Sequence, residues 1–234
     1  MRIKTFYLLI IAGLFSVPVY SQTGIFNLYT GDSNREYTGK VEIYELYDGK
    51  EYLNYAPSLA KGHPFLIERE FNKGKIVYKG KVYENVRVLY DLVTDQLVLL
   101  HYDNFNRIQL FKPYIASFEI EGMQFIHLKD IKSPGFYQLL HQGNITLLAK
   151  KKKILKENVE QRKVQREVSD ANSFHIMNNG ELTEVRRLKT LLNAMGDKRN
   201  EVQQWVKKNK KIKNKEILFK AVAAYYDQIS DNEN

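Results

Sequence analysis

Between Phe26 and Leu148 the chain is cut into short runs of Val, Ile, Leu, Tyr and Phe by closely spaced turn residues, and this punctuation constrains the fold more than any other feature. Such runs bounded by Gly, Asn and Asp are strand signals, and a Gly in the turn marks a tight hairpin. Val41 to Tyr47 ends at Asp48-Gly49 and resumes at Glu51-Tyr52-Leu53, and Phe65 to Phe71 precedes a turn at Asn72-Lys73-Gly74. Lys75 to Tyr78 turns at Lys79-Gly80 into Val82-Tyr83 and the run Val86 to Tyr90. Leu97 to Tyr102 and Arg107 to Phe111 flank a polar tip at Asp103-Asn104. Ile115 to Ile120 turns at Glu121-Gly122 into Met123 to Leu128, and Phe136 to Leu140 turns at Gln142-Gly143-Asn144 into Ile145 to Leu148. The expected class is α+β: an antiparallel β-sandwich or a rolled, barrel-like sheet followed by a small C-terminal helical unit. An outer-membrane barrel needs strands of ~9–11 residues with an apolar outer row. Many runs here are shorter, Glu68, Arg69 and Glu70 are consecutive, and the chain ends in a helical pattern.

Charge divides the chain near residue 149. Residues 22–148 carry 14 basic and 15 acidic side chains, whereas 149–234 carry 20 and 12, so the excess positive charge belongs to the last third. Such asymmetry suggests two parts with different roles. After Leu148 come Lys150, Lys151, Lys152 and Lys153, then a polar stretch in which Val159, Val164 and Val168 permit a thin helical stripe or a solvated linker. Leu182, Val185, Leu188, Leu192 and Met195 then recur at helical steps up to Gly196. Asp197 is placed to cap a second helix carrying Val202, Trp205 and Val206. Asn214 is placed to cap a third, with Ile217, Leu218, Ala221, Val222 and Tyr225 on its apolar face. The expected organisation is a β-rich domain over 22–148, a basic connector over 149–173 and a helical unit over 174–234.

The first 21 residues read as an export signal. Arg2 and Lys4 form a positive start, Phe6 to Phe15 is an apolar run of ten residues, Pro18 breaks it, and Val19-Tyr20-Ser21 offers a cleavage site before Gln22. Ten residues are too few to cross ~30 Å of hydrocarbon as a helix, and no later segment approaches the ~20 that crossing requires. The chain has no cysteine, which excludes disulfides, thiolate nucleophiles, cysteine-ligated zinc and the lipid attachment of a bacterial lipoprotein. The expected location is the periplasm or the outer membrane's surroundings, with no lipid anchor and no transmembrane segment.

No G-x-x-x-x-G-K-[ST] loop, strand-linked G-x-G-x-x-G, G-x-S-x-G elbow, H-E-x-x-H pair or EF-hand loop occurs. Asp91, Asp95 and Asp103 form a possible carboxylate cluster, but all three sit at hairpin tips, where Asp serves turn geometry. His101, His127 and His141 lie near strand ends and are candidates for convergence on a metal, although isolated histidines are more often hydrogen-bonded surface residues. Eleven tyrosines between Tyr29 and Tyr114 suit a sheet, burying the ring while the hydroxyl reaches water. No catalytic residue, cofactor or metal is expected. The basic clusters fit solvated helix faces or an anionic envelope partner; nucleic acid is not expected in an exported protein.

The run Gly74-Lys-Ile-Val-Tyr78-Lys-Gly80-Lys-Val-Tyr83-Glu-Asn85-Val-Arg-Val-Leu-Tyr90-Asp91 resembles a pattern in uncharacterised secreted β-rich proteins common in Bacteroidota. The Phe118 to Phe125 hairpin, the closing Trp205-Val-Lys-Lys-Asn209 and Tyr225-Tyr226 are similar in style. The resemblance implies a periplasmic or outer-membrane-associated protein and transfers no catalytic residue. The functional expectation is a non-enzymatic envelope protein that binds another envelope component, as an accessory of an outer-membrane protein complex. Lys150, Lys151, Lys152, Lys153, Lys207, Lys208, Lys210, Lys211 and Lys213 are its candidate contact residues. The alternatives are a carrier of an apolar small ligand inside a rolled sheet, and a hydrolase with an unrecognised site of Asp, Glu, His or Tyr.

Overall fold

The computed structural model describes residues 45–55, 61–160, 163–178 and 180–231; the expected export signal over 1–21 and the run Val41 to Tyr44 lie outside the described residues. The strands are β1 (Lys50–Glu51), β2 (Asn72–Tyr78), β3 (Lys81–Asp91), β4 (Gln96–Leu100), β5 (Arg107–Gln109), β6 (Ile115–Ile120) and β7 (Met123–Leu128). They continue as β8 (Gly135–Gln142), β9 (Thr146–Lys150), β10 (Lys153–Glu160), β11 (Lys163–Asp170), β12 (Ser173–Asn178) and β13 (Glu181–Glu184). Helices α1 (Leu188–Asn193), α2 (Arg199–Lys208) and α3 (Lys215–Asp231) follow. Among the described residues, eleven strands make one open antiparallel sheet in the order β1-β5-β4-β3-β2-β6-β7-β8-β9-β12-β13, and β10 and β11 pair separately. The class is α+β, as the strand and helix patterns predict.

Local chemistry closes the meander. Lys79 and Gly80 join β2 to β3, Glu121 and Gly122 join β6 to β7, and all four have positive φ. Positive φ at both central residues is the type I′ turn, whose twist matches the strands it connects. Both hairpins lie where the sequence predicts them, as do the tips between β4 and β5 and between β8 and β9.

Several expectations change. Asn72-Lys73-Gly74 is not a turn but the start of β2, with a bulge between Gly74 and Ile76. A Cβ on Gly74 would meet Val88 Cγ2 at 2.6 Å and the Glu119 carbonyl oxygen at 2.7 Å, so this glycine serves the close approach of three strands. At Asp48-Gly49 no hairpin forms: Glu45 and Leu46 are helical, Leu46 is buried in the core, and β1 pairs with β5. The stretch read as a connector is the β10–β11 hairpin, in which Leu155 faces Val168, Glu157 faces Arg166 and Val159 faces Val164. These pairs are equidistant from residues 161–162, so Leu155 and Val159 on one strand and Val164 and Val168 on the other follow a period of two, not a helical step. The helical unit starts late, because Ser173–Asn178 and Glu181–Glu184 extend the sheet, Val185 is buried after them, and α1 covers only Leu188–Asn193.

Helix α2 begins after a 3-10 turn over Gly196–Lys198, with Lys198 at its cap position and no side-chain cap, so Asp197 does not occupy the predicted cap. Asn214 does cap α3, its Oδ1 accepting from the Ile217 N–H at 3.1 Å. The buried stripe of α3 is Phe219, Val222 and Ala223, with Leu218 and Tyr225 of the predicted face packed against the same core, whereas Ile217 is exposed.

Alternation sends neighbouring side chains to opposite faces. On one face Tyr90 meets the rings of Phe118, Phe125 and Phe136 at centroid distances of 5.1, 5.3 and 5.8 Å, within a core that also holds Ile76, Val88, Leu97 and Leu99. Each aromatic pair adds ~0.5–1.5 kcal/mol beyond its area burial. Along the sheet, Leu140, Leu147, Ala149, Phe174 and Ile176 receive Leu191, Leu192, Met195, Val202, Phe219 and Val222 from the helical segment. The helices therefore share a core with the sheet. Clusters around Tyr137, Leu148 and Met177, and around Phe65, Leu89 and Val98, complete the packing.

Nothing lies within 4 Å of a Cβ built on Gly80 or Gly122, so substitution tests the backbone alone. Gly122→Ala and Gly80→Ala should each lower unfolding free energy by about 1–2 kcal/mol, the cost of the left-handed region for an L-residue, with no change in the slope of urea denaturation.

Candidate functional site

The nine predicted contact lysines separate into two groups. Lys150, at the end of β9, donates from Nζ to Ser133 Oγ at 2.7 Å and to the Ser133 and Pro134 carbonyls at 3.0 Å each. Lys151 pairs with Glu216 of α3. Lys153 donates to the Phe65 carbonyl at 2.6 Å and the His63 carbonyl at 3.0 Å. Burial pushes both Lys150 and Lys153 below the usual lysine range. Lys152 is exposed, and its backbone closes the base of the β10–β11 hairpin with Ala171 and Asn172. By contrast, Lys207, Lys208, Lys210, Lys211 and Lys213 lie on the last turn of α2 and the link to α3, all exposed and with no ammonium ion pair among the described residues. That link is held at both ends. Asn209 donates from its backbone N–H to the Trp205 and Val206 carbonyls, and from Nδ2 to the Trp205 carbonyl, while Asn214 caps α3.

The acidic and histidine candidates each have a separate partner set. Asp91 is fully buried and accepts from Tyr52 Oη at 2.8 Å, Tyr55 Oη at 3.1 Å and the Val93 and Thr94 N–H groups. Asp95 takes the Tyr90 hydroxyl and the Lys112 ammonium, and Asp103 caps its own loop through Phe105 and Asn106. Those loop hydrogen bonds hold the Asp103 carboxyl well below its ordinary range. His101 contacts Asp103, His127 Nδ1 faces the Ile115 carbonyl at 2.9 Å, and His141 pairs with Asp227 of α3. Among the described residues no three His, Asp or Glu side chains form a metal-binding group. The Tyr90, Phe118, Phe125 and Phe136 rings pack together in the core on one face of the sheet.

A polar groove not foreseen from the sequence lies on the sheet face opposite the helices. Lys150 is paired with Ser173 across β9 and β12, and His175 with Glu184 across β12 and β13. Because residues two apart share a face, Lys150, Ser173, His175 and Glu184 all project to this side, with Tyr137 of β8 beside them. The Tyr137 ring lies 5.1 Å from the Lys150 ammonium and 5.3 Å from the His175 ring. Loop 129–134 is tied down by Lys150 and by the Tyr137 hydroxyl, which donates to the Ser133 carbonyl at 2.7 Å. Between that loop and the β12–β13 hairpin is a cavity of about 910 Å³, sharing Asp130, Ile131 and Gly180 with a smaller one of about 330 Å³ beside His127.

Ser173 Oγ lies 2.9 Å from His175 Nε2, and burial, reinforced by nearby Lys150, pushes the His175 pKa down. A neutral imidazole beside a hydroxyl has the proton-accepting form a base requires. The carboxylate opposite it is otherwise engaged: Glu184 Oε2 accepts from Arg186 Nε at 3.0 Å, which holds the Glu184 carboxyl below its usual range. The arrangement suits binding through hydroxyl, imidazole and carboxylate groups. The alternation Ser173-Phe174-His175-Ile176 carried the signal for this site, polar on one side and apolar on the other.

Burial also lowers the pKa values of His63 and His127. Their neutral forms and that of His175 favour the folded chain above the ordinary histidine value of ~6.5, and this contribution is lost as pH falls through that value toward the lower folded-state ones. Melting temperature should fall between pH 8 and pH 5, and His175→Gln should make the decline shallower.

No helix among the described residues is long and apolar enough to cross a membrane. In comparisons with known proteins, the chain matches no protein-family model, no curated protein and no solved structure.

Proposed function

We propose that this chain is a non-enzymatic, exported cell-envelope protein that docks on an acidic face of another envelope protein, as an accessory of an outer-membrane assembly. The observation carrying this reading is the contrast within the basic third. Lys150, Lys151 and Lys153 are engaged in holding the fold, whereas Lys207, Lys208, Lys210, Lys211 and Lys213 project from one anchored link with their ammonium groups exposed. Concentrated like charge on a fixed segment steers a complementary partner and sets its orientation. Export and membership of a secreted β-rich Bacteroidota group belong to the same proposal; they rest on residues 1–22 and on the Gly74 to Asp91 pattern.

The test is capture from native envelope extracts by the chain beginning at Gln22, beside a variant with the five lysines changed to glutamine. At about 50 mM salt the unmodified chain should retain an acidic envelope protein that is released near 0.5 M, where the Debye length shrinks to about 4 Å. The variant should retain at least about tenfold less, equivalent to about 1.4 kcal/mol. Capture of nothing, or capture equal for both chains, rejects the reading.

A further inference from the structure

We propose that the groove between loop 129–134 and the β12–β13 hairpin is a binding site for a short neutral oligosaccharide. Its cavity of about 910 Å³ lies at the upper end of the ~300–1,000 Å³ typical of small-ligand sites. The ionisable side chains lining it balance: Asp130, Glu181 and Glu184 against Lys132, Lys150 and Arg186. Two of the cations are already engaged, Lys150 by the Ser133 and Pro134 carbonyls and Arg186 by Glu184. A groove without excess charge gives no advantage to a phosphate, a uronate or a cation.

The polar atoms that remain match sugar hydroxyls, which donate and accept at once. Ser173 Oγ does both, so beside its 2.9 Å contact with His175 Nε2 it keeps further hydrogen-bonding capacity, and the uncharged imidazole has its other nitrogen, Nδ1, left to meet a hydroxyl. The Glu184 carboxylate is kept ionised and fixed by Arg186 through Oε2, leaving Oε1 to accept. Ile131 and Leu182 line the same cavity and supply apolar surface for the C–H faces of a pyranose ring. Mixed polar and apolar walls of this kind disfavour a lipid tail, which would strand the hydroxyl, imidazole and carboxylate groups unpaired. The pocket is held open from outside the ligand: the Lys150 and Tyr137 hydrogen bonds to Ser133 fix the loop. This proposal does not rest on the lysines of the α2–α3 link.

Titration calorimetry and saturation-transfer NMR on the chain beginning at Gln22 decide it, with maltotriose, cellotriose, chitotriose and mannotriose as separate probes and trigalacturonate as the charged control. At least one neutral trisaccharide should bind with a Kd below about 5 mM. Glu184→Gln, an exposed and isosteric change, and His175→Gln should each weaken it at least about tenfold, and the five-lysine variant should leave it unchanged. Binding of none of the four, binding of trigalacturonate alone, or a neutral sugar whose affinity ignores Glu184→Gln overturns the proposal. A chain that captures no envelope protein yet binds the trisaccharide leaves this site standing while the docking reading fails.

Discussion

Tyr90 and Asp91, adjacent on β3, hold the two faces of the sheet. Alternation sends the Tyr90 ring into the aromatic core with Phe118, Phe125 and Phe136, where its hydroxyl reaches Asp95. The next side chain, Asp91, points the other way and is buried as a carboxylate, which is costly unless hydrogen bonds replace its water. Four donors do so: the hydroxyls of Tyr52 and Tyr55 and the N–H groups of Val93 and Thr94. Burial beside this carboxylate pushes both phenols far up, so they remain donors. The backbone continues the same junction, with Leu66 N–H donating to the Tyr90 carbonyl, Leu92 N–H to the Pro64 carbonyl and Lys153 N–H to the Leu92 carbonyl. Segments 45–55 and 61–66 and the base of β10 thus converge on one strand end.

The other end of the sheet is organised by what covers each face. Helices α1 to α3 bury Phe219, Val222 and Leu191 against β8, β9 and β12, and the His141 contact with Asp227 and the Lys151–Glu216 ion pair fix α3 against the sheet. The reverse of those strands is left to loop 129–134 and the short β12–β13 hairpin, which meet it incompletely. A groove results, lined by polar side chains whose strand neighbours are in the core. The same three strands therefore supply both a packed interface and a concave polar surface, because successive residues point opposite ways.

The hairpins at Lys79-Gly80 and Glu121-Gly122 were legible because their backbone needs positive φ, which Gly supplies at the second position without a Cβ. Asn214 was legible as a cap for a similarly local reason, its Oδ1 accepting from an N–H three residues on. Asp48-Gly49 and Asn72-Gly74 carried the same kind of signal and misled. Burial of Leu46 and the pairing of β1 with β5 override one, and close packing of Gly74 against Val88 and Glu119 explains the other. Leu182, Val185 and Leu188 stand at helical spacing, yet Leu182 is in a strand and Leu188 opens a helix, since a short apolar pattern is compatible with both periods. The candidate lysines were visible only as charge. Which of them are engaged depends on carbonyls of residues 63, 65, 133 and 134, distant in the chain.

Residue type and spacing alone determined the antiparallel character, most turns, the helical C-terminal segment and the basic excess of the last third. Each of these follows from interactions among residues a few positions apart or from composition. The strand order, the pairing of β1 with β5, the extension of the sheet through β12 and β13, and the meeting of Tyr137, Lys150, Ser173 and His175 were decided only in three dimensions. They depend on which apolar faces bury each other and on which buried polar groups find partners, and those choices are made between segments far apart in sequence.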